Sequence, residues 1–249
     1  MDGPPRWRSF PGSFRLGRQR GQRPADGTGW SGVIERLQAA NVPVRAIVNP
    51  LRGITADSAY VTSVFSQIPG RILAVGHSYG GAIITNAATD AGNVVGLVYV
   101  AAFAPDEGEA LQDIEAGSTD SVLNAAIRPS NYPTGSGAET AVEFSIDPAS
   151  YHDAFAGDLS EKDAAVAAAA QRPVAAAAFG EKNGPPGWKK LPAWAVVATG
   201  DKAAGADVVL SMAKRAKAEI AEVEGSHVIM ISQPQAVTDI IMKALQTVT

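Results

Sequence analysis

Ile72-Leu73-Ala74-Val75-Gly76-His77-Ser78-Tyr79-Gly80-Gly81 joins a short apolar run to a stretch of small residues through a glycine-flanked serine. The apolar run predicts a strand over 72–75, and the small residues after it predict a helix over 80–91. Gly76, Ser78 and Gly80 have the G-x-S-x-G spacing in the strand-to-helix setting that this motif needs. A turn this sharp strains the backbone at the serine, and flanking glycines let neighbouring segments approach without Cβ clashes. The hydroxyl then stands exposed above the sheet edge. The helix start offers the Tyr79 N–H to a developing oxyanion. A chain with 25 Gly can show the bare pattern by chance; the strand before it and the helix after it speak against that.

A serine nucleophile needs a base and a group to orient that base. His227 follows the predicted strand 219–223, and Asp201 follows the predicted strand 193–199. Both therefore fall at carboxyl ends of strands, on the edge where open α/β sheets build their sites. The other two histidines compete poorly: His77 lies inside the turn and is expected to point away from the nucleophile, while His152 lies in an insert. Asp106 and Glu107, just past the strand 94–103, rival Asp201 for the acid role. Gly200 permits a tight turn next to Asp201, which favours the latter.

From Trp30 onward helix-like and strand-like stretches alternate. Helices are predicted over 31–40 with Ser31 as cap, 57–67, 80–91, 207–217 and 234–245, and strands over 44–48, 72–75, 94–103, 193–199 and 219–223. This alternation defines an α/β fold with a mostly parallel central sheet flanked by helices. Residues 106–190 break the alternation and are too long for a plain loop. They are expected to carry their own helices and to form a helical lid over the strand ends. Trp30, Phe103, Tyr132, Phe144, Tyr151, Phe155 and Trp188 are candidate walls of a substrate pocket beneath it.

The 249 residues contain no Cys and three His, which removes disulfides and thiol chemistry and argues against a multi-histidine metal centre. No metal or other cofactor is expected. No apolar run approaches the length of a membrane span. Residues 1–23 hold six Arg and one Asp, net +5, whereas the other 226 hold 15 bases and 24 acids, net −9. Such an acidic body is not built for nucleic acid. The expected partner is a small-molecule acyl substrate, handled by a cytoplasmic monomer or homodimer.

With Gly76–Gly81, Val98–Pro105, Thr199–Lys202 and Glu222–Val228 in view, residues 25–249 resemble the α/β-hydrolase superfamily. The likeness is to its compact bacterial esterase-like group, distantly similar to plant hydroxynitrile lyases and methylesterases. The resemblance implies an α/β-hydrolase fold and acyl transfer by Ser78, His227 and Asp201, in the family's chain order of Ser, Asp and His. Val228 stands where the lyases carry Lys, which favours hydrolysis. Ser78 argues against the branches that use an Asp nucleophile. In the family an apolar central strand, which ends in His-Gly-Xaa-Phe and lies between the strands matching 44–48 and 72–75, supplies a second oxyanion donor. Here the equivalent positions are Gly21, Gln22, Arg23 and Pro24, and Pro24 has no N–H. Residues 1–24 are therefore expected to be an atypical Arg-rich head: a basic tail, a targeting segment or text from another reading frame. A non-catalytic or impaired ligand-binding protein on the same fold is the alternative to a carboxylic-ester hydrolase.

Overall fold

The computed structural model of the chain describes residues 28–248. Seven strands are present among them: β1 (Ile72–Ser78), β2 (Val94–Ala102), β3 (Ile127–Pro133), β4 (Thr140–Ile146), β5 (Val174–Ala175), β6 (Ala193–Ala198) and β7 (Glu219–Val223). β1, β2, β6 and β7 form a parallel sheet in that order, and β3, β4 and β5 form a separate antiparallel sheet. The expected α/β architecture is thus observed, with its central parallel sheet between helices.

The two central strands show why their sequence is apolar at every position. Leu97 and Tyr99 of β2, with Ala195 and Val197 of β6, face one core layer. Val98 and Val100, with Trp194 and Val196, face the other. A strand alternates its side chains between faces, so a strand covered on both sides needs apolar residues throughout. Helices Ile54–Ser66, Tyr79–Ala87 and Ala206–Arg215 supply Val61, Ile83 and Val209 to the first layer. Helices Ser31–Ala39 and Pro234–Val248 supply Val33, Leu37, Val237 and Ile241 to the second.

Two expectations change. Ser31 is the first helical residue rather than the cap; Trp30, with helical backbone at the end of the 3-10 turn Thr28–Trp30, holds the cap position. Residues 44–48 form no strand among the described residues, and Val44 and Val48 are exposed. A strand exists through its ladder, and among the described residues β1, the nearest parallel strand in sequence, is paired only with β2. The central-strand slot that the resemblance assigns to residues near 15–20 lies outside the described residues, as does the whole 1–24 head.

The insert between β2 and β6 carries helices, including Pro148–Phe155 and Glu161–Ala169, but also the β3–β4–β5 sheet that sequence reading missed. Pro129 and Pro133 hid β3. Proline is tolerated on an edge strand, which β3 is. Gly135 and Gly137, both at positive φ, turn the chain from β3 into β4. The two ends of the insert meet at a neck. Lys189 pairs with Asp106 at 2.5 Å, the Trp188 indole N–H donates to the Pro105 carbonyl at 3.0 Å, and Gly108 N–H donates to the Asn183 carbonyl at 2.8 Å.

Candidate active site

Ser78 ends β1, and Tyr79 begins the next helix. The Ser78 backbone sits at φ 53° and ψ −127°, a conformation that costs an L residue about 1–3 kcal/mol and persists only where its surroundings enforce it. Those surroundings are visible. The β1–β2 register skips a residue here, pairing His77 with Val100 and Ser78 with Ala102, and the skipped Ala101 is itself at φ 43°. The Phe103 N–H then donates to the Ser78 carbonyl at 3.2 Å. A Cβ on Gly76 would lie 2.5 Å from the Gly80 carbonyl oxygen, and one on Gly81 would lie 2.4 Å from that of Phe103. Gly80 has nothing within 4 Å among the described residues, so among these Gly76 and Gly81 carry the steric demand and the motif's second glycine does not.

Tyr79, as the first helical residue, has an N–H with no acceptor within the helix. Its phenol is anchored at the far end, donating to Asp57 Oδ2 at 2.9 Å. Asp57 is fully buried and also accepts the Arg52 N–H on both oxygens, at 3.2 and 3.0 Å. Burial and the neighbouring Asp57 carboxylate push the phenol far above its ordinary pKa, so it stays protonated as the donor.

His227 lies in the loop after β7, and Asp201 in the turn after β6. His227 Nδ1 is 2.8 Å from Asp201 Oδ2, with both side chains essentially inaccessible. Because an ionised carboxylate only accepts, the proton of this bond sits on Nδ1, which leaves Nε2 as the basic nitrogen. Asp201 Oδ1 accepts the Ala203 and Ala204 N–H groups at 2.9 and 3.0 Å. Burial opposes the charge on Asp201, but the His227 imidazole and these N–H donors outweigh it and hold the carboxyl below its usual range. The two loops touch directly. Gly200 N–H donates to the Gly225 carbonyl at 2.9 Å, and a Cβ on Gly200 would meet that oxygen at 2.9 Å. The rival acids are engaged elsewhere or exposed: Asp106 is paired with Lys189, and Glu107 lies on the surface.

The His227 ring is held between two others. His77 lies at 4.6 Å between ring centroids on one side, and Phe155 lies at 4.6 Å, edge to face, on another. His77 Nε2 donates to the His227 carbonyl at 2.9 Å, so this histidine ties the serine strand to the histidine loop. Burial and the neighbouring His227 lower the His77 pKa to about 3, which keeps it neutral beside the other imidazole. Its position in the motif signalled proximity, but nothing in the sequence signalled a bond to the loop 150 residues away.

The remaining wall candidates are distributed. Phe103 is buried beside Ser78 and Gly81. Trp30 packs on the second core layer. Tyr132 lies under the Arg52 guanidinium at 4.2 Å. Trp188 belongs to the neck of the insert. Phe155 is the aromatic of that set in ring contact with His227. Among the described residues, no group of three or more His, Cys, Asp or Glu side chains could hold a metal ion, and no helix is long and apolar enough to cross a membrane.

A strained serine at a strand end, followed at once by a helix, thus shares its sheet edge with a buried His–Asp pair on the loops after β6 and β7. The chain belongs to the alpha/beta hydrolase family, whose model matches residues 5–240. No curated protein sequence matches it. Among solved structures it is similar to polyneuridine aldehyde esterase at 19% identity and TM-score 0.72, covering 87% of this chain and 93% of that one. A pyrethroid hydrolase from Sphingobium faniae JZ-2 aligns at 18% identity and TM-score 0.73, covering 89% and 93%. A methylesterase from Arabidopsis aligns at 17% identity and TM-score 0.69, covering 88% and 93%. At these identities the likeness is one of fold.

Proposed function

We infer that the protein is a serine hydrolase that cleaves a small carboxylic ester or similar acyl substrate through an acyl-enzyme. The observation that carries this reading is the buried 2.8 Å bond between His227 Nδ1 and Asp201 Oδ2, on the same sheet edge as the strained Ser78. Ser78 Oγ attacks the acyl carbon while His227 Nε2 takes its proton. The carbonyl electron pair moves onto oxygen, where the Tyr79 N–H receives it. Collapse expels the alcohol oxygen, which leaves with the proton from Nε2, and water repeats the cycle to release the acid. Asp201 holds the ring in the productive tautomer and stabilises the imidazolium that forms. Residues 106–190 act as the lid, with Phe155 reaching His227. The esterases and hydrolases among the similar folds support this class of substrate.

A fluorophosphonate probe and p-nitrophenyl acetate test the reading together. The expected result is covalent labelling and ester hydrolysis, both abolished in Ser78→Ala. A chain that neither labels nor hydrolyses under any substrate concentration is a ligand-binding member of the fold, and the hydrolase reading fails.

A further inference from the structure

His227 rests on a loop, and loops hold a side chain in place only through their contacts. Its ring is fixed by Asp201, His77 and Phe155, and its carbonyl by His77. Beside the Gly200–Gly225 bond, a further contact holds this loop. Asp158, in the insert just past the helix Pro148–Phe155, accepts the Ser226 N–H on Oδ2 at 2.8 Å and the Ser226 hydroxyl on Oδ1. Ser226 is the residue directly before His227, is itself buried, and its hydroxyl oxygen also accepts the Val228 N–H at 3.4 Å. One carboxylate therefore grips the chain immediately before His227 and, through Ser226 Oγ, immediately after it.

The approach is close enough to constrain the sequence. A Cβ on Gly225 would stand 2.7 Å from Asp158 Oδ2 and 2.3 Å from Ile229 Cδ1, so a side chain there would force the two segments apart. Asp158 is set three residues beyond Phe155, whose ring lies on the His227 imidazole. The segment between them is itself ordered by the Leu159 N–H donating to the Ala156 carbonyl at 3.0 Å and by His152 Nε2 bonding the Leu159 carbonyl at 3.0 Å. Burial disfavours the charged form of Asp158, yet the Ser226 bonds prevail and keep its carboxyl below the usual range.

The geometry points to Asp158 as a positioning residue for His227: acting through Ser226, it makes the insert and the general base a single unit. This deepens the hydrolase reading and rests on it for its kinetic consequence. The test compares Asp158→Ala and Asp158→Asn with the unaltered full chain in two ways. The first is p-nitrophenyl acetate kinetics. The second is the downfield proton resonance of His227 Nδ1–H, which reads the His227–Asp201 bond whether or not the chain turns over ester. In Asp158→Ala, kcat is expected to fall about tenfold or more with KM within about twofold, because small misplacements of a catalytic group are costly. The Nδ1 resonance should broaden or vanish. Asp158→Asn keeps an oxygen for the Ser226 N–H and should recover part of both. Unchanged kcat with an unchanged resonance in both variants overturns the proposal, and so does a lost resonance with undiminished kcat. If the unaltered chain neither labels nor hydrolyses, the hydrolase reading fails by itself. The resonance then decides whether Asp158 orders the His227 loop, and its persistence in both variants overturns that too.

Discussion

Ser78, Asp201 and His227 stand up to 149 residues apart, yet each could be picked from the sequence for a local reason. Ser78 was flagged by the glycines around it, and His227 and Asp201 by their places just past apolar strands. The bond between the latter two is the feature with the largest chemical consequence. Asp201→Asn would present an amide to Nδ1, which can donate its own proton there and so favour the wrong tautomer. On the serine-hydrolase reading, kcat for p-nitrophenyl acetate should fall by about 10³–10⁴ with KM little changed. A loss under tenfold would remove Asp201 from that role. What was not legible at this scale were side chains whose roles depend on where distant backbone arrives. His77 is expected to point away from the Ser78 nucleophile, and the motif gives no sign that it bonds the His227 carbonyl. Asp158 carries no local motif, since its importance lies in meeting Ser226 across the fold.

At the scale of elements, apolar continuity and glycine punctuation made the four sheet strands legible, to within three residues at either end. The elements that escaped were those whose sequence obeys an exception. β3 contains two prolines and survives because its outer edge needs no ladder on that side. Residues 44–48 look like a strand but have no ladder among the described residues. The sequence marks the turn from β1 into its helix, but not which of the flanking glycines the packing demands. Gly81→Ala would drive a methyl group into the Phe103 carbonyl and the Ala102 side chain, pushing the helix Tyr79–Ala87 off β2. Overpacking of this kind costs about 1–3 kcal/mol, read as a lower melting temperature. Gly80→Ala meets nothing within 4 Å among the described residues and replaces glycine within a helix, so its melting temperature should hold or rise. Equal destabilisation by the two substitutions would contradict this assignment.

The whole molecule couples these parts to acidity. His77 is held at a pKa of about 3 against an ordinary 6.5, so between those values the unfolded chain carries a proton that the folded chain excludes. Its contribution is complete above about pH 6.5 and is lost as pH falls toward 3, by up to about 1.4 kcal/mol per pH unit. Asp201, with its depressed carboxyl, adds a loss of the same sign at the acid end. His152, whose proton is favoured by the Leu159 carbonyl and then by Asp153, acts in the opposite sense. The difference between the parent and His77→Gln therefore isolates His77. Urea midpoints from pH 7 to pH 4 should fall more steeply in the parent, and parallel curves would refute this account. A different consequence follows from the neck of the insert. Residues 106–190 leave and re-enter between adjacent, directly paired strands, and their two ends are clasped by Asp106–Lys189 and by the bonds to Pro105 and Asn183. The insert is thus attached as a cartridge is to a socket, and exchanging it leaves the order of the parallel sheet untouched. Yet Leu111, Tyr151, Ala154 and Ala178 of that same segment fill both core layers. A lineage could trade one such cartridge whole for another with the same footprint, but could not shorten it piecemeal without opening the core.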